Sequence, residues 1–313
     1  MTPEAGRAAG ADEGYAALLD ARVRRTGTLL CLGLDPDPAA LPRGFGADVV
    51  GAERFARLLL EAALPHAAAV KANLAFFEAF GSAGLAALER LRASLPGDVP
   101  FIADAKRGDI GSTTARHAAA LYDGLGAHAV TVAPYVGAAA LAPLLGRRGR
   151  CVYVLCRTSN PGAGELQDLP VAPARGSGGP GEPLYLRVVR LALAWQETYG
   201  TVGLVVGATA AAELAAIRRV APGLPFLVPG VGAQGGDPAS VRAIAAATAG
   251  PLASSSGRGV LVNVSRGIAA AALGPGDPEA AVAAAAVDWA ARLRCYDTEP
   301  PQRTPLEDPS PHA

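Results

Sequence analysis

The chain has 313 residues, room for one large domain or two ordinary ones. Half of them are hydrophobic, and 28 basic side chains balance 28 acidic ones to a net charge of zero. A large core is therefore available, and the lack of a dense basic stripe argues against nucleic acid as a partner. No apolar run approaches the roughly 20 residues that span a bilayer, so no membrane partner is expected. Residues 1–12 contain acidic side chains and no apolar stretch, unlike a secretory signal, and are expected to be flexible. The cysteines Cys31, Cys151, Cys156 and Cys295 form no CxxC pair. Three lie in apolar runs and read as buried reduced thiols, which fits a cytoplasmic protein.

Strand-like and helix-like segments alternate along the chain. Thr28 to Asp35 is a near-continuous apolar run ending in Asp-Pro, as suits a strand buried on both faces. A helical segment follows from about Ala52 to His66, then a second strand at Ala68 to Lys71. The period of Asn73 to Leu95 is helical, closed by Pro96-Gly97. Phe101 to Lys106 is the third strand, and Ser112 to Leu125 its helix, with Ser112 or Thr113 as N-cap. His128 to Pro134 is the fourth strand, with a short helix from about Ala138 to Leu145, and Cys151 to Arg157 is the fifth. The next stretch, about 159–183, is rich in Gly, Pro and polar residues; loops of that length in a compact domain are usually lids or disordered. Leu184 to Tyr199 is helical, Val202 to Gly207 the sixth strand and Ala210 to Val220 its helix. Pro225 to Pro229 is the seventh strand, followed by a helix that Asp237 begins. Gly259 to Val264 is the eighth, and Pro278 to Arg294 the last helix. Residues 298–313 are Pro-rich and polar and are expected to be a disordered tail.

Eight strands, each followed by a helical segment, predict an α/β fold, a (β/α)8 TIM barrel formed by residues 13–297 as a single domain. A doubly wound open sheet is the alternative, disfavoured by the count of eight and by the absence of GxGxxG after the first strand.

The most informative segment is Asp104-Ala105-Lys106-Arg107-Gly108-Asp109. Asp104 and Lys106 are two apart, so an extended strand points them to the same side. Asp109 lies just past the strand. Burying such charges is costly unless they pair, and pairs kept despite the cost are often functional; a plain salt-bridge cluster capping a strand would leave the same pattern. In a barrel, active sites form at the C-terminal ends of the strands. Asp35, Lys71, Ser159, Gln234 and Arg266 all fall there, so the fold would gather them on one rim with Asp104 and Lys106. The glycines Gly230, Gly232, Gly235 and Gly236 would let backbone approach an anion, with Arg266 as a planar cation. His66, His117, His128 and His312 show no metal-ligand spacing, and no metal site is expected.

These residues resemble a known family. The run from Phe101 to Ile110 is similar to the signature of orotidine 5′-phosphate decarboxylases, and Val228 to Asp237 to their phosphate-loop motif. Leu32-Gly33-Leu34-Asp35-Pro36 and Val70-Lys71-Ala72-Asn73 match in order and spacing. The stretch from Lys71 to Glu78 and the long central loop resemble the longer bacterial, type 2 subfamily. The resemblance covers about Tyr15 to Tyr296. It implies loss of CO2 from orotidine 5′-monophosphate to give UMP, the last step of de novo pyrimidine synthesis, in a homodimeric barrel that uses no cofactor. It also implies roles. Lys71, Asp104, Lys106 and Asp109 would form a charged catalytic array. Asp109, Ile110 and Thr113 would reach into the partner's site. Asp35 and Lys71 would hold ribose hydroxyls, and Ser159 would meet the pyrimidine edge. Gln234 and Arg266 would bind the phosphate, with Pro229, Val231 and Gly235 of the Gln234 loop also binding substrate. Two rival functions remain at this point. One is a magnesium-dependent sugar-phosphate lyase or synthase of the same barrel superfamily, which the Lys-Arg-Gly-Asp continuation and the Gln234 loop disfavour. The other is a catalytically silent phosphonucleotide-binding protein, disfavoured by retention of the charged array.

Overall fold

The computed structural model describes residues 14–172, 181–232, 235–250, 252, 255–257 and 259–295. Eight parallel strands close into a barrel in the order β1-β10-β9-β8-β5-β4-β3-β2, which is the (β/α)8 fold expected from the alternation. The strands are β1 Leu30–Leu34, β2 Ala69–Asn73, β3 Phe101–Arg107, β4 Ala129–Val132, β5 Cys151–Arg157, β8 Val202–Val206, β9 Phe226–Pro229 and β10 Val260–Val264. A separate two-stranded antiparallel pair, β6 Pro170–Val171 and β7 Glu182–Pro183, lies outside the barrel. The barrel strands are almost wholly buried, which is why their sequences read as apolar runs rather than as alternations.

The helices are α1 Tyr15–Thr26, α2 Val49–Ala63, α3 Ala75–Glu78, α4 Gly81–Ala93, α5 Gly111–Ala118, α6 Gly137–Leu145, α7 Gly164–Gln167, α8 Leu184–Tyr199, α9 Ala211–Val220, α10 Pro238–Ala246, α11 Arg266–Ala269 and α12 Pro278–Arg292. Three expectations change. The single helix expected over Asn73 to Leu95 is two, because Asn73 ends β2 and Gly81 takes φ +63 where α4 begins. Neither Ser112 nor Thr113 caps α5. Ile110 holds the cap position without a side-chain bond, and Thr114 Oγ1 instead donates to Asp109 O at 2.7 Å. The 159–183 stretch carries α7 and the β6–β7 pair, with 173–180 outside the described residues. The flexible segment expected at 1–12 and the tail expected at 298–313 also lie outside them.

Helix α1 went unread in the sequence because its apolar face is short and it precedes the first strand. It packs beneath the N-terminal end of the barrel. Leu19 and Val23 are buried, and Tyr15 N donates to Gly149 O at 2.9 Å. Arg22 donates to Ala67 O at 3.0 Å and Leu64 O at 2.7 Å, tying the helix to the turn before β2. Inside, the Tyr15 and Tyr153 hydroxyls share a hydrogen bond of 2.9 Å, and their rings meet edge to face. Truncating Tyr15 opens a cavity and orphans a buried hydroxyl. Tyr15→Ala is therefore expected to cost about 3 kcal/mol in urea unfolding, and Tyr15→Phe about 1 kcal/mol. Equal and negligible losses would mean that α1 does not close the barrel.

Candidate active site

At the C-terminal mouth of the barrel lies a cleft of about 310 Å³. Its lining divides by chemistry. Strands β5, β8 and β9 present Leu155, Val205 and Leu227, whereas β2, β3 and β10 present Lys71, Asp104 and Asn263, with Asp35 just past the end of β1. A charged array thus faces an apolar wall, where poor solvation strengthens each electrostatic contact.

Asp104 is the hub of the array. Its Oδ2 accepts from Lys71 Nζ at 2.7 Å, and its Oδ1 accepts from Lys106 Nζ at 2.7 Å and from Thr131 Oγ1 at 2.8 Å. Lys71 also stands 4.0 Å from Asp35 Oδ1. The Lys71 side chain is 5% exposed and that of Asp104 12%, so neither charge would be stable there alone. Burial works against the ammonium of Lys71, but Asp35 and Asp104 outweigh it and hold the group above the ordinary lysine range. Burial likewise works against the Asp104 carboxylate, and the charges of Lys71 and Lys106 outweigh it, holding Asp104 well below the ordinary carboxylate range.

Lys106 differs from its partners. Its side chain is 46% exposed toward the cleft, and its φ of +49 is the only positive value at a non-glycine position among the described residues. The pairing of β3 with β4 is irregular between Ala103 and Arg107. Thr131 Oγ1 accepts from Lys106 N at 2.9 Å, fixing this turn of the backbone. The expectation that a regular strand would align Asp104 and Lys106 is thus met in outcome but not in means. They meet because the strand breaks its extension, a strain of the kind kept at working sites.

The anion side of the cleft comes from the ends of β9 and β10. Pro229, Gly230 and Val231 line it with Ser265, Arg266 and Gly267. Arg266 is exposed and has no carboxylate partner among the described residues. Gly232 has φ +79, and a Cβ there would lie 2.6 Å from Trp289 Cη2. Trp289 of α12 also donates from Nε1 to Gly267 O at 3.2 Å. One indole therefore braces both loops.

Of the sequence-predicted residues, Asp35, Lys71, Asp104, Lys106, Ser159, Pro229, Val231 and Arg266 come together in the cleft. Asp109, Ile110, Thr113 and Gly235 do not line it. Gln234 lies outside the described residues. Asp109 is exposed and makes no ion pair with Lys106; its Oδ1 accepts from Ile110 N at 2.7 Å. Sequence reading missed Thr131, Thr158, Asn160, Asn263 and Trp289. Thr131 and Asn263 were visible as lone polar residues inside apolar strands, and Trp289 as the one aromatic side chain in an alanine-rich helix. Thr158 is held by Gln167 of α7, which accepts from Thr158 N at 2.9 Å and donates to its hydroxyl at 2.8 Å. The short helix in the long loop thus shapes the edge that carries Ser159 and Asn160. No group of three or more His, Cys, Asp or Glu side chains able to hold a metal occurs among the described residues.

Fold and site define a (β/α)8-barrel protein whose mouth joins a Lys–Asp–Lys array, buried at Lys71 and Asp104 and open at Lys106, to a pair of braced glycine-bearing loops. Residues 28–285 match the orotidine 5′-phosphate decarboxylase / HUMPS family, and the chain belongs to it. It is 49% identical over 219 residues to an orotidine 5′-phosphate decarboxylase of Thermomicrobium roseum, covering 70% of this chain and 76% of that one. It is 46% identical over 277 residues to that of Roseiflexus castenholzii, covering 88% and 94%. The structure of Leishmania donovani OMP decarboxylase superimposes with a TM-score of 0.71 at 38% identity, covering 90% of this chain and 98% of that one.

The array allows a stability test. Asp104→Ala leaves Lys71 buried beside a second ammonium, and is expected to cost about 3 kcal/mol in urea unfolding. Lys106→Ala removes a half-exposed charge and should cost less than about 1 kcal/mol. The sign of the pH effect follows from the depressed Asp104. Its contribution is complete above the unfolded carboxylate value of about 4, and is lost as pH falls through the lower folded value. Asp104→Asn should therefore flatten the acid limb of the stability curve. An unchanged acid limb would remove Asp104 from the role of hub.

Proposed function

We infer that this chain decarboxylates orotidine 5′-monophosphate to UMP and CO2, the last step of de novo pyrimidine synthesis. The observation that carries the reading is the Lys71–Asp104–Lys106 array at the mouth of a barrel of this family, next to braced loops bearing Arg266, which has no carboxylate partner among the described residues. Loss of CO2 breaks the C6–carboxyl bond and leaves the electron pair on C6, where no ring orbital spreads it well. A fixed ammonium can stabilise that charge as it develops. Lys106 is the group for this step, because it is the exposed cation of the array and Asp104 restrains it. It then transfers its proton to C6 and recovers one from solvent. Lys71 holds Asp104 in place from the buried side. Arg266 and the backbone after β9 would take the phosphate, with Gln234. Ser159 would meet the base, and Asp35 and Lys71 the ribose. Remote binding of this kind orients the base and drives closure.

The same reading makes the protein a homodimer with shared sites. Ile110 is 67% exposed and Tyr135 92%, next to the exposed Asp109. Gly108 packs against Ala133 and Val136, so the two loops form one apolar rim. Such a patch on a soluble domain marks an interface. It supports the placement of Asp109, Ile110 and Thr113 in a partner's cleft, since none of them lines its own. The cytoplasm is the proposed location. No described helix is long and apolar enough to cross a membrane, and all four cysteines are free and buried.

Purified protein should lower the absorbance of orotidine monophosphate as UMP forms, equally with and without EDTA. Activity lost to EDTA and restored by magnesium would instead indicate the sugar-phosphate branch of the superfamily. UMP binding without turnover would indicate a silent binding protein.

Subunit mixing tests the shared site. Lys106→Ala and Asp109→Ala homodimers should each be inactive. In their heterodimer one site collects both lesions and the other neither, so about half of the sites are intact by two-fold symmetry. Verified heterodimers as inactive as the parents would place Asp109 at its own subunit's site.

A further inference from the structure

Thr158, Ser159 and Asn160 follow the end of β5 and line one edge of the cleft. On one side this edge rests on the end of β8. A Cβ at Gly207 would lie 2.7 Å from Ser159 Cβ, and Gly207 N donates to Arg157 O at 2.7 Å. On the other side it is held by Gln167 of α7, which does not itself line the cleft. Arg157 ties the two together, donating from Nη1 to Thr158 O at 3.1 Å and from Nη2 to Asp168 Oδ2 at 3.0 Å. The direction of the bonds along this edge follows from one fixed donor. The Thr158 backbone N–H can only donate, so the Gln167 atom 2.9 Å from it is the amide oxygen. That places Gln167 Nε2, which also can only donate, 2.8 Å from the Thr158 hydroxyl. The hydroxyl accepts there and turns its own hydrogen to Asn160 Oδ1 at 2.6 Å, closer than the 3.3 Å back to Gln167 Oε1. With its oxygen drawn toward Thr158, the Asn160 amide carries its NH2 on the other side. One of those hydrogens goes to Pro161 O at 3.0 Å, and the second has no acceptor among the described residues. Asn160 is exposed at the cleft edge.

We propose that Gln167 is a positioning residue that acts through Thr158 to fix the Asn160 amide N–H outward, selecting a base with a carbonyl at C4 over one with an amino group; this rests on the decarboxylase reading. Uracil and orotate present an acceptor at C4, and cytosine presents a donor. A rotatable asparagine could turn to serve either. One locked with its N–H outward donates to the carbonyl and meets the amino group donor to donor, which is how a site discriminates by repulsion as well as by attraction. The residue type at 167 decides the direction. Glutamate has the same shape but two acceptor oxygens. One would still take the Thr158 N–H, and the other would take the Thr158 hydroxyl hydrogen. Asn160 would then lose the donor that orients it, although the bonds between α7 and Thr158 would persist.

Calorimetry tests this in wild type, Gln167→Glu and Thr158→Val, with UMP titrated directly and CMP and ribose 5-phosphate measured by displacement of UMP. Wild type should prefer UMP to CMP. Gln167→Glu should lower that preference about tenfold, the size of one hydrogen bond, while its melting temperature stays near that of wild type. Thr158→Val, which cuts the relay but keeps the backbone bond to Gln167, should lower the preference equally. Ribose 5-phosphate has no base and should bind all three proteins alike, whereas a general loosening of the site would weaken it too. An unchanged preference in either variant, no preference in wild type, or ribose 5-phosphate weakened as much as UMP overturns the proposal. If wild type still decarboxylates orotidine monophosphate in that case, the enzyme reading stands and only Gln167 loses its role. Wild type that neither binds UMP nor decarboxylates would remove the reading itself.

Discussion

The carboxylate of Asp104 accepts from two ammonium groups and a hydroxyl, and the rest of the mouth is arranged around that bond set. Neither Lys71 nor Asp104 could remain ionised at this depth alone, since stripping water from either ion costs several kcal/mol. Together they hold each other in the charged form, one raised and the other lowered from its ordinary range. The third member, Lys106, keeps half of its side chain in the cleft. The result is an ammonium whose position is fixed by buried neighbours while its tip stays open to a ligand.

Placing that tip requires a departure from regular strand geometry. Lys106 adopts a left-handed backbone conformation that costs a lysine roughly 1–2 kcal/mol. Thr131 offsets this by bonding to both the Lys106 amide and the Asp104 carboxylate. The strained residue and the hub are therefore held by one hydroxyl on the neighbouring strand. Strain fixed in this way leaves little reorganisation for the moment when charge develops on a ligand.

The opposite side of the cleft is organised by packing rather than by charge. Trp289 lies against Gly232 and bonds to Gly267, so the loops after β9 and β10 share a single support on α12. Glycine at 232 answers both to its positive φ and to the indole edge. Gly236 is likewise held close to Ala208, where a Cβ would lie 2.5 Å from its methyl carbon. Two of the glycines that read as anion-binding devices are therefore also packing devices. Gly235 alone of that loop's described glycines beyond Val231 faces open space.

The barrel was legible in the sequence because parallel strands buried on both faces leave continuous apolar runs, and connecting helices leave a different period between them. The runs at Cys151–Arg157 and Leu184–Tyr199 have the same bounds in sequence and structure. The charged segment from Asp104 to Asp109 was legible for a related reason, since ionised groups at the end of such a run need partners. Helix α1 and the break at Gly81 were not, because a short apolar face and a single left-handed glycine carry little periodic signal. What only the tertiary structure decided are distances between residues far apart in the chain. Thr131 meets Asp104, Trp289 meets Gly232, and Asn263 stands over Gly33 because barrel closure brings β10 against β1. Hydrophobic pattern is a local property of the chain and survives in the sequence. The pairing of one polar atom with another depends on register and closure, which arise only when all eight strands are in place.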